Sequence, residues 1–218
     1  MSTSRFQFHG QELVARPSGA LYWPAQEALV VADLHLGKSG RIARLGGALL
    51  PPFESIATLE RLNVDLMDSG ARRLICLGDS FDDDTARTEL GAAEVQLRAL
   101  CKSHEVIWVS GNHDPAPRGL LGECVDELQI SGLALRHIAG VAPDISGHYH
   151  PKLRFMGQRR RVFLLGAAHL ILPAFGVYTG GLDHDDPAVR HLVPEGIAIV
   201  TGKHAHAIPL SSALQARQ

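Results

Sequence analysis

Three short apolar runs, separated by two amphipathic segments, constrain the fold of this chain more than any other feature. The runs are residues 28–32, 73–77 and 106–109. Between them, residues 53–66 and 85–100 carry apolar side chains at the three- and four-residue spacing of a helix. Strands that alternate with helices form parallel sheets, and polar residues collect where such strands end. We therefore predict an α/β fold with a functional site at the carboxyl edge of a sheet.

The second half of the chain has a different pattern. From about residue 133, short strand-like segments are separated by Gly, Pro and His turns, which predicts a second sheet packed on the first. A length of 218 residues, with 45% hydrophobic and 20% charged residues, suits one domain with a sizeable core. We therefore interpret residues 1–218 as a single domain.

The numbers of His and Cys indicate which chemistry to expect. The chain has 12 His and 3 Cys, and no two Cys are close enough in sequence to form a zinc site or a disulfide framework. We expect Cys76 and Cys101 to be buried thiols. The amino terminus lacks the apolar run of a secretory signal, and no segment approaches the about 20 apolar residues of a membrane span. A cytoplasmic location is the resulting expectation.

Four short motifs stand where the predicted strands end, and each offers oxygen or imidazole donors. They are Asp33-Leu34-His35, Gly78-Asp79-Ser80-Phe81-Asp82, Gly111-Asn112-His113-Asp114 and Gly147-His148-Tyr149-His150. In an extended segment, residues i and i+2 project to the same side, so both ends of Asp-x-His or His-x-His can face one ion. Donors of this kind suit Mn²⁺, Fe or Zn²⁺. The motifs therefore predict a metal centre.

In this order, the four motifs resemble the signature of the calcineurin-like metallophosphoesterase superfamily, over roughly residues 30–150. The resemblance implies a sandwich of two mixed β-sheets flanked by helices, and two divalent metal ions that share Asp79. The first ion would be held by Asp33, His35, Asp79 and His150. The second would be held by Asp79, Asn112, His148 and a lone His. His137, the one His between Asp114 and Gly147, takes that last place.

The resemblance also implies an activity, that of a two-metal phosphoesterase. Two cations about 3.5–4 Å apart neutralise an anionic phosphodiester and generate hydroxide near neutral pH, which makes hydrolysis possible. His113 is not needed as a ligand under this assignment. We expect it to stabilise the transition state or to protonate the leaving oxygen, with Asp114 orienting its ring.

Narrower features resemble one branch of the superfamily, the DNA-ligase-associated metallophosphoesterases, described as DNA damage response endonucleases. These features are Asp33-Leu34-His35-Leu36-Gly37-Lys38, His150-Pro151, Leu172-Pro173-Ala174-Phe175-Gly176 and Tyr178-Thr179-Gly180-Gly181. With them the resemblance extends over roughly residues 20–182. It implies a DNA endonuclease of DNA repair that uses Mn²⁺ and is functionally associated with DNA ligase and helicase.

A basic segment after the last motif gives modest support for a DNA substrate. It contains Lys152, Arg154, Arg159, Arg160 and Arg161, with no acid between them. The segment could follow a phosphate backbone, extended by Lys38, Arg41 and Arg44, or it could be an ordinary solvated hairpin. The net charge of -2 does not by itself indicate a nucleic-acid binder. No recognition helix or aromatic ladder indicates that a DNA sequence is read, so we expect binding without sequence specificity. The partner that we expect is single-stranded DNA.

Two other functions remain open from the sequence. A binuclear phosphoesterase could act on a small molecule, such as a nucleotide or a lipid-linked diphosphate, in an enclosed pocket. A protein of the same fold could also have lost its metals and become a protein-binding scaffold, although no motif position here is eroded. Elsewhere, His204-Ala205-His206 repeats the His-x-His spacing without the preceding glycine. We interpret it as part of a surface strand.

Overall fold

Two β-sheets packed face to face organise the protein. The structure is a computed structural model, and it describes residues 2–47, 50–51, 53–113 and 121–211. Within these residues the first sheet has seven strands and the second has eight. The predicted α/β sandwich of two mixed sheets flanked by helices is therefore confirmed.

The first sheet starts as an antiparallel meander and becomes parallel from its fourth strand onward. Its strands lie side by side in chain order: β1 (Ser4–Phe8), β2 (Gln11–Ala15), β3 (Leu21–Trp23), β4 (Ala28–Val31), β5 (Arg73–Leu77), β6 (Glu105–Val109) and β7 (Glu123–Val125). In the parallel part, Val30 of β4 is paired with Ile75 of β5, and Ile75 with Ile107 of β6. The carboxyl ends of these three strands therefore meet at one edge, as the sequence predicts.

The helices cover the outer faces of the two sheets. They are α1 (Lys38–Arg44), α2 (Glu54–Ser69), α3 (Asp84–Thr88), α4 (Ala92–Ser103) and α5 (Pro187–Leu192), with a single 3₁₀ turn at Pro24–Gln26. The continuous helix predicted for residues 85–100 is wrong, because the chain forms α3 and α4 instead. The residue before α4, Gly91, has φ 55° and ψ −127°, a conformation that glycine adopts easily and that interrupts a helix. None of the described helices is long and apolar enough to cross a membrane.

The second sheet is mixed. Its strands are β8 (Leu128–Ile130), β9 (Leu133–Arg136), β10 (Asp144–Ser146), β11 (Lys152–Phe155), β12 (Gln158–Leu165), β13 (His169–Ile171), β14 (Ile197–Val200) and β15 (His206–Pro209). They lie in the order β15-β14-β12-β13-β10-β9-β8, and β11 forms a hairpin with β12. β9, β10 and β13 run parallel. The ends of β9 and β10 carry three of the predicted metal ligands.

Alternation along the strands divides the core into layers. One layer lies between the two sheets. The first sheet contributes Val30, Ile75, Leu77 and Ile107 to it, and the second sheet contributes Leu135, Ile145, Phe163 and Leu170. The other layer, which includes Leu29, Val31, Leu74, Cys76 and Trp108, packs under α2 and α4. Cys76 and Cys101 are buried here, as predicted. Because both faces of the parallel strands are buried, the strand ends are held rigidly for the site that they carry.

Candidate metal centre

The predicted metal ligands lie where strands of both sheets end. Asp33 and His35 follow β4, Asp79 follows β5, Asn112 follows β6, His137 follows β9, and His148 and His150 follow β10. The two sheets are joined directly at this point. The carboxylate of Asp33 accepts the backbone N–H of His148 at 2.9 Å, and His137 Nδ1 lies 3.0 Å from the carbonyl oxygen of Leu77. The residues therefore converge across the sandwich and not along a single sheet.

The backbone at these ligands is unusual. The φ angle is positive at Asp33 (54°), His35 (45°), Asp79 (46°), His148 (68°) and His150 (47°). Left-handed conformations cost residues with a Cβ about 1–2 kcal/mol each, and such strain collects at functional sites. The turns that follow the strands are therefore shaped to aim these side chains.

Gly78 shows how closely the strands approach one another. It has φ 72°, and a Cβ at this position would lie 2.5 Å from the ring of His137. Any other residue would push His137 away from Asp79. The glycine of the Gly-Asp motif is therefore needed both for the left-handed turn and for the close approach of β9 to β5.

Asp33, His35 and His150 form the first donor cluster, in which the ligand atoms all lie within 4.8 Å of one another. His150 Nε2 lies 3.2 Å from Asp33 Oδ1 and 3.4 Å from His35 Nε2. Asp33 is fully buried, and its Oδ1 accepts no hydrogen bond from the described residues. A buried, unsatisfied carboxylate oxygen facing two imidazole nitrogens is an arrangement that a cation would stabilise.

Asp79, His137 and His148 form the second donor cluster, and their ligand atoms also lie within 4.8 Å of one another. His137 Nε2 is at the centre, 3.1 Å from His148 Nδ1 and 3.4 Å from Asp79 Oδ2. The side-chain oxygen of Asn112 lies 2.8 Å from the same nitrogen. The predicted second ligand set is therefore brought together around one point.

The position of the proton on the His137 ring shows whether these residues fit a metal ion. His137 Nδ1 faces the carbonyl of Leu77, which only accepts, so Nδ1 carries a proton. Its Nε2 then turns towards two further electron-pair donors, the oxygens of Asn112 and Asp79. A group of lone pairs that face one another requires a proton or a metal ion between them. The residues present therefore fit a divalent cation in each cluster.

The charges in the second donor cluster agree with this interpretation. Burial raises the pKa of Asp79, but the hydrogen bond and charge of His137 outweigh it and lower the pKa to about 2. Burial lowers the pKa of His137, but Asp79 and Asp33 outweigh it and raise the pKa above its ordinary value. The charge of His35, in the first cluster, also lowers the pKa of Asp79. The charges of Asp79 and of His35 in the first cluster therefore interact, and the sharing of Asp79 by two ions stays a prediction.

Asp82 lies behind the first donor cluster, and sequence analysis gave it no role. One of its oxygens is 2.9 Å from His35 Nδ1 and 3.1 Å from Lys38 Nζ, and the other is 3.3 Å from Arg41. Burial raises the pKa of Asp82, but His35 and Lys38 outweigh it and hold the pKa well below its usual range. A carboxylate behind an imidazole ligand fixes the ring and increases its basicity. The signal for this residue in the sequence is its place as the second aspartate of the Gly-Asp-x-x-Asp pattern.

Comparison with known proteins decides the family. No family model matches the chain, and no curated protein matches it. Among solved structures, the crystal structure of Pseudomonas putida nuclease MPE is similar, with a TM-score of 0.77 and 31% sequence identity over 95% of this chain and 100% of that chain. The chain belongs to the calcineurin-like metallophosphoesterases. Yfce, a phosphoesterase from E. coli, is also found, with 16% identity and a TM-score of 0.40 over 79% of this chain and 87% of that chain.

Membership of this family makes the protein a hydrolase of phosphoesters, as the sequence predicts. In this metallophosphoesterase, His113 lies beside both donor clusters without belonging to either. Its backbone N–H donates to Asp79 Oδ1 at 2.9 Å, and its ring centroid is 5.7 Å from that of His35. A catalytic role for His113 stays a prediction that this position supports. Asp114, predicted to orient the His113 ring, lies outside the described residues.

Most residues of the basic segment and of its extension contact other groups of the metallophosphoesterase. Lys38 and Arg41 contact Asp82, and Arg44 contacts Asp83 and Glu89 at 2.7 Å and 2.6 Å. Lys152 Nζ donates to the carbonyl of Thr179, and Arg159 contacts Asp183. Arg154 and Arg160 are exposed. Most of these bases therefore stabilise loops of the protein.

The remaining sequence motifs behave as structural features. Asp83 precedes α3 and caps it, because its carboxylate accepts the backbone N–H of Ala86. His204 and His206 are exposed at the start of β15, and neither joins a donor cluster in the described part of the chain. The interpretation of this segment as a surface strand is confirmed.

Proposed function

We propose that the protein is a metal-dependent DNA endonuclease of DNA repair, which hydrolyses single-stranded DNA without sequence specificity and uses two Mn²⁺ ions. The similarity to a nuclease over 95% of the chain, at 31% identity, carries this proposal. The two donor clusters support it, because phosphodiester cleavage is the reaction that two adjacent cations promote. The repair role, the association with DNA ligase and helicase, and a cytoplasmic location rest on the branch resemblance.

The donor sets support Mn²⁺ as a suitable metal. Each cluster combines one carboxylate with two imidazoles, and the second adds the amide oxygen of Asn112. Mixed oxygen and nitrogen donors without thiolate accommodate Mn²⁺, Fe or Zn²⁺. When bound, such ions supply positive charge for the phosphate and acidify the water that attacks it. We choose Mn²⁺ because the resembling branch is associated with it.

The chain's own residues have distinct tasks in this scheme. In this scheme Asp79 is shared by the two ions. Its Oδ1 accepts the N–H of His113, which supports a role for the His113 ring beside the reacting group. His113 is half-buried, so its ring can contact a substrate from the surface. We assign it the protonation of the leaving oxygen, a step to which a positioned imidazole typically contributes about 10²- to 10⁴-fold in rate.

Metal add-back tests the proposal. The protein is stripped with EDTA, supplied with Mn²⁺, Mg²⁺ or Zn²⁺, and incubated with circular single-stranded DNA or with bis-p-nitrophenyl phosphate. We expect nicking of the DNA with Mn²⁺, no nicking by His150→Ala, and normal nicking by His204→Ala, which removes an exposed imidazole outside both clusters. Absence of turnover with any metal and either substrate would contradict the enzyme assignment.

The same assay separates the nuclease from a small-molecule phosphoesterase. Hydrolysis of the aryl diester without nicking of DNA would favour the small substrate. One cavity borders the second donor cluster, with a volume of about 340 Å³, and Asn112, His137, Asp126, Glu127 and Arg136 line it. Arg136 contacts Glu127 at 2.8 Å, so this lining offers a polyanion little attraction. If DNA is the substrate, the phosphates that flank the bond to be cut must be bound elsewhere on the protein.

A further inference from the structure

Four arginines line a second cleft, away from the acidic cavity. The cleft has a volume of about 360 Å³ and lies between α2, the β11–β12 hairpin and two turns of the chain. Arg61 comes from α2, and Arg159, Arg160 and Arg161 come from β12. The turns contribute Ser18 and Thr201, and no acidic side chain lines the cleft. We call it the arginine cleft.

Two of these arginines lie side by side around a neutral group. Arg61 and Arg161 both donate to the carbonyl oxygen of Phe175. Arg161 also donates to the carbonyl oxygens of Gly176 at 2.6 Å and Val177 at 2.8 Å. Arg159 forms an ion pair with Asp183 at 2.8 Å. The other three arginines form no ion pair with the described residues. The carbonyl oxygens accept some of the N–H groups but do not neutralise the charge, and the buried Arg61 Nε has no hydrogen-bond partner among the described residues.

The electrostatics of the cleft favour an anion. Burial lowers the pKa of Arg61, although the charge of Asp65 opposes this. Burial and then the charge of Arg61 lower the pKa of Arg161 to about 10. Two half-buried like charges without a direct ion-pair partner among the described residues raise the free energy of the folded state. A phosphate group would reduce this cost, because guanidinium groups bind phosphate oxygens through paired hydrogen bonds.

We propose that the arginine cleft binds a phosphate group, namely a backbone phosphate of the DNA strand away from the bond that is cut. The choice of DNA rests on the proposed function, whereas the anion chemistry rests on the arginines alone. A single loop connects the cleft to the first donor cluster. The N–H groups of Phe175 and Gly176 donate to the carbonyls of Ala32 at 2.7 Å and Asp33 at 3.0 Å. The carbonyls of the same two residues accept from the arginines. A strand anchored in the cleft would therefore lie against the same loop that packs on the backbone of Asp33.

Arg160 is the residue to change. Arg61 and Arg161 hold the loop that contacts Asp33, so replacing them would disturb the metal centre as well as the cleft. Arg160 is exposed, and the described residues give it no ion pair, so Arg160→Ala tests the charge alone. The matched control is Arg190→Ala, which removes another exposed arginine outside the cleft. Arg160→Lys keeps the charge and loses the guanidinium fork.

Binding of a short fluorescein-labelled single-stranded oligonucleotide, measured in EDTA over a range of salt concentrations, tests the proposal. We expect Arg160→Ala to raise Kd by about three- to tenfold and to reduce the slope of log K against log salt by about 0.7, the value for one phosphate contact on a single strand. Arg160→Lys should restore the slope and only part of the affinity. Arg190→Ala should leave Kd within about twofold of the wild type, since it touches no phosphate.

The outcomes separate this inference from the proposed function. Equal Kd and slope for Arg160→Ala and Arg190→Ala, with nicking of circular DNA by the wild type, would overturn the cleft assignment and leave the nuclease intact. A parallel calorimetric titration with pyrophosphate tests whether the cleft binds a small phosphorylated molecule instead of DNA. Binding of pyrophosphate that depends on Arg160, without binding of the oligonucleotide, would overturn the assignment to DNA and indicate a site for a small phosphorylated molecule.

Discussion

The two donor clusters have similar ligands but differ in what supports them. His35 of the first cluster is backed by the carboxylate of Asp82, which is itself held by Lys38 and Arg41. His137 of the second cluster is backed by the neutral carbonyl of Leu77, and the amide that completes the set, Asn112, is exposed. A carboxylate behind an imidazole makes it a stronger ligand than a carbonyl does. We therefore expect the first cluster to hold its ion more tightly and the second to exchange its ion more readily.

A change at Asp79 should weaken metal binding by both clusters, because we expect the two ions to share this residue. We expect Asp79→Ala to lower kcat by at least about 10³-fold, since the two-cation arrangement is lost, and to reduce the metal content of both clusters. Metal analysis after gel filtration and assay with an aryl phosphodiester measure the two effects. A variant that retains both ions would show that Asp79 is not shared.

A change at His113 should leave metal binding by both clusters unchanged and still slow the reaction. We expect His113→Ala to keep its metal content and to lose about 100-fold in kcat, the typical contribution of an acid–base group. His104→Ala, at the carboxyl end of α4, serves as the control and should behave as the wild type. If His113→Ala instead loses metal, His113 is a ligand and the division between binding and catalysis is wrong.

A change at Asp82 should affect the first cluster only. Asp82→Asn keeps the shape and removes the charge behind His35, so we expect the affinity of the first cluster for Mn²⁺ to fall by about 10- to 100-fold. The affinity of the second should stay the same. Titration followed by electron paramagnetic resonance resolves the two classes of ion. Asp83→Asn is the matched control, because asparagine still caps α3; equal losses in both clusters would refute the difference.

Removal of the metal should lower the thermal stability, which is the smallest of the effects expected here. On adding Mn²⁺ back, we expect the first cluster to fill before the second. Adding Mn²⁺ at about 100 times Kd to the stripped protein should stabilise it by about 2.7 kcal/mol. In a chain of this size, this corresponds to a rise in Tm of about 5–10 °C. We expect most of the rise at the low Mn²⁺ concentrations that fill the first cluster. In Asp82→Asn, calorimetry should show this rise in Tm at higher Mn²⁺ concentrations. An unshifted curve would mean that Asp82 does not strengthen Mn²⁺ binding by the first cluster.

Local patterns were sufficient to predict the elements around the metal centre. β5 occupies the predicted residues 73–77, and α2 ends at Gly70 as expected, because apolar periodicity and a glycine stop act over a few neighbouring residues. α1 could not be predicted in this way. It begins after Gly37 without a side-chain cap, and long-range contacts of Lys38 and Arg41 with Asp82 support it.

Spacing and order predicted which residues would converge on the metal centre, but not what surrounds them. The position of His137 opposite Asp79 agrees with the prediction, although its ligand role stays a prediction. The carboxylate behind His35 and the pair formed by Arg61 and Arg161 depend on contacts between distant segments of chain. The sequence left two alternatives open for the segment that contains Arg161, a phosphate track and a solvated hairpin, and did not predict that Arg161 holds a loop. Such roles follow from packing, which has no local signal.

The left-handed backbone at five donor residues has a consequence for replacing a ligand. Glycine would relieve about 1 kcal/mol of backbone strain or more at such a position. At Asp33 and Asp79 this gain is offset, because their carboxylates accept the backbone N–H groups of His148 and His113. A glycine at His150 would therefore exchange a metal ligand for a less strained backbone, whereas a glycine at Asp33 would also remove a hydrogen bond between the two sheets.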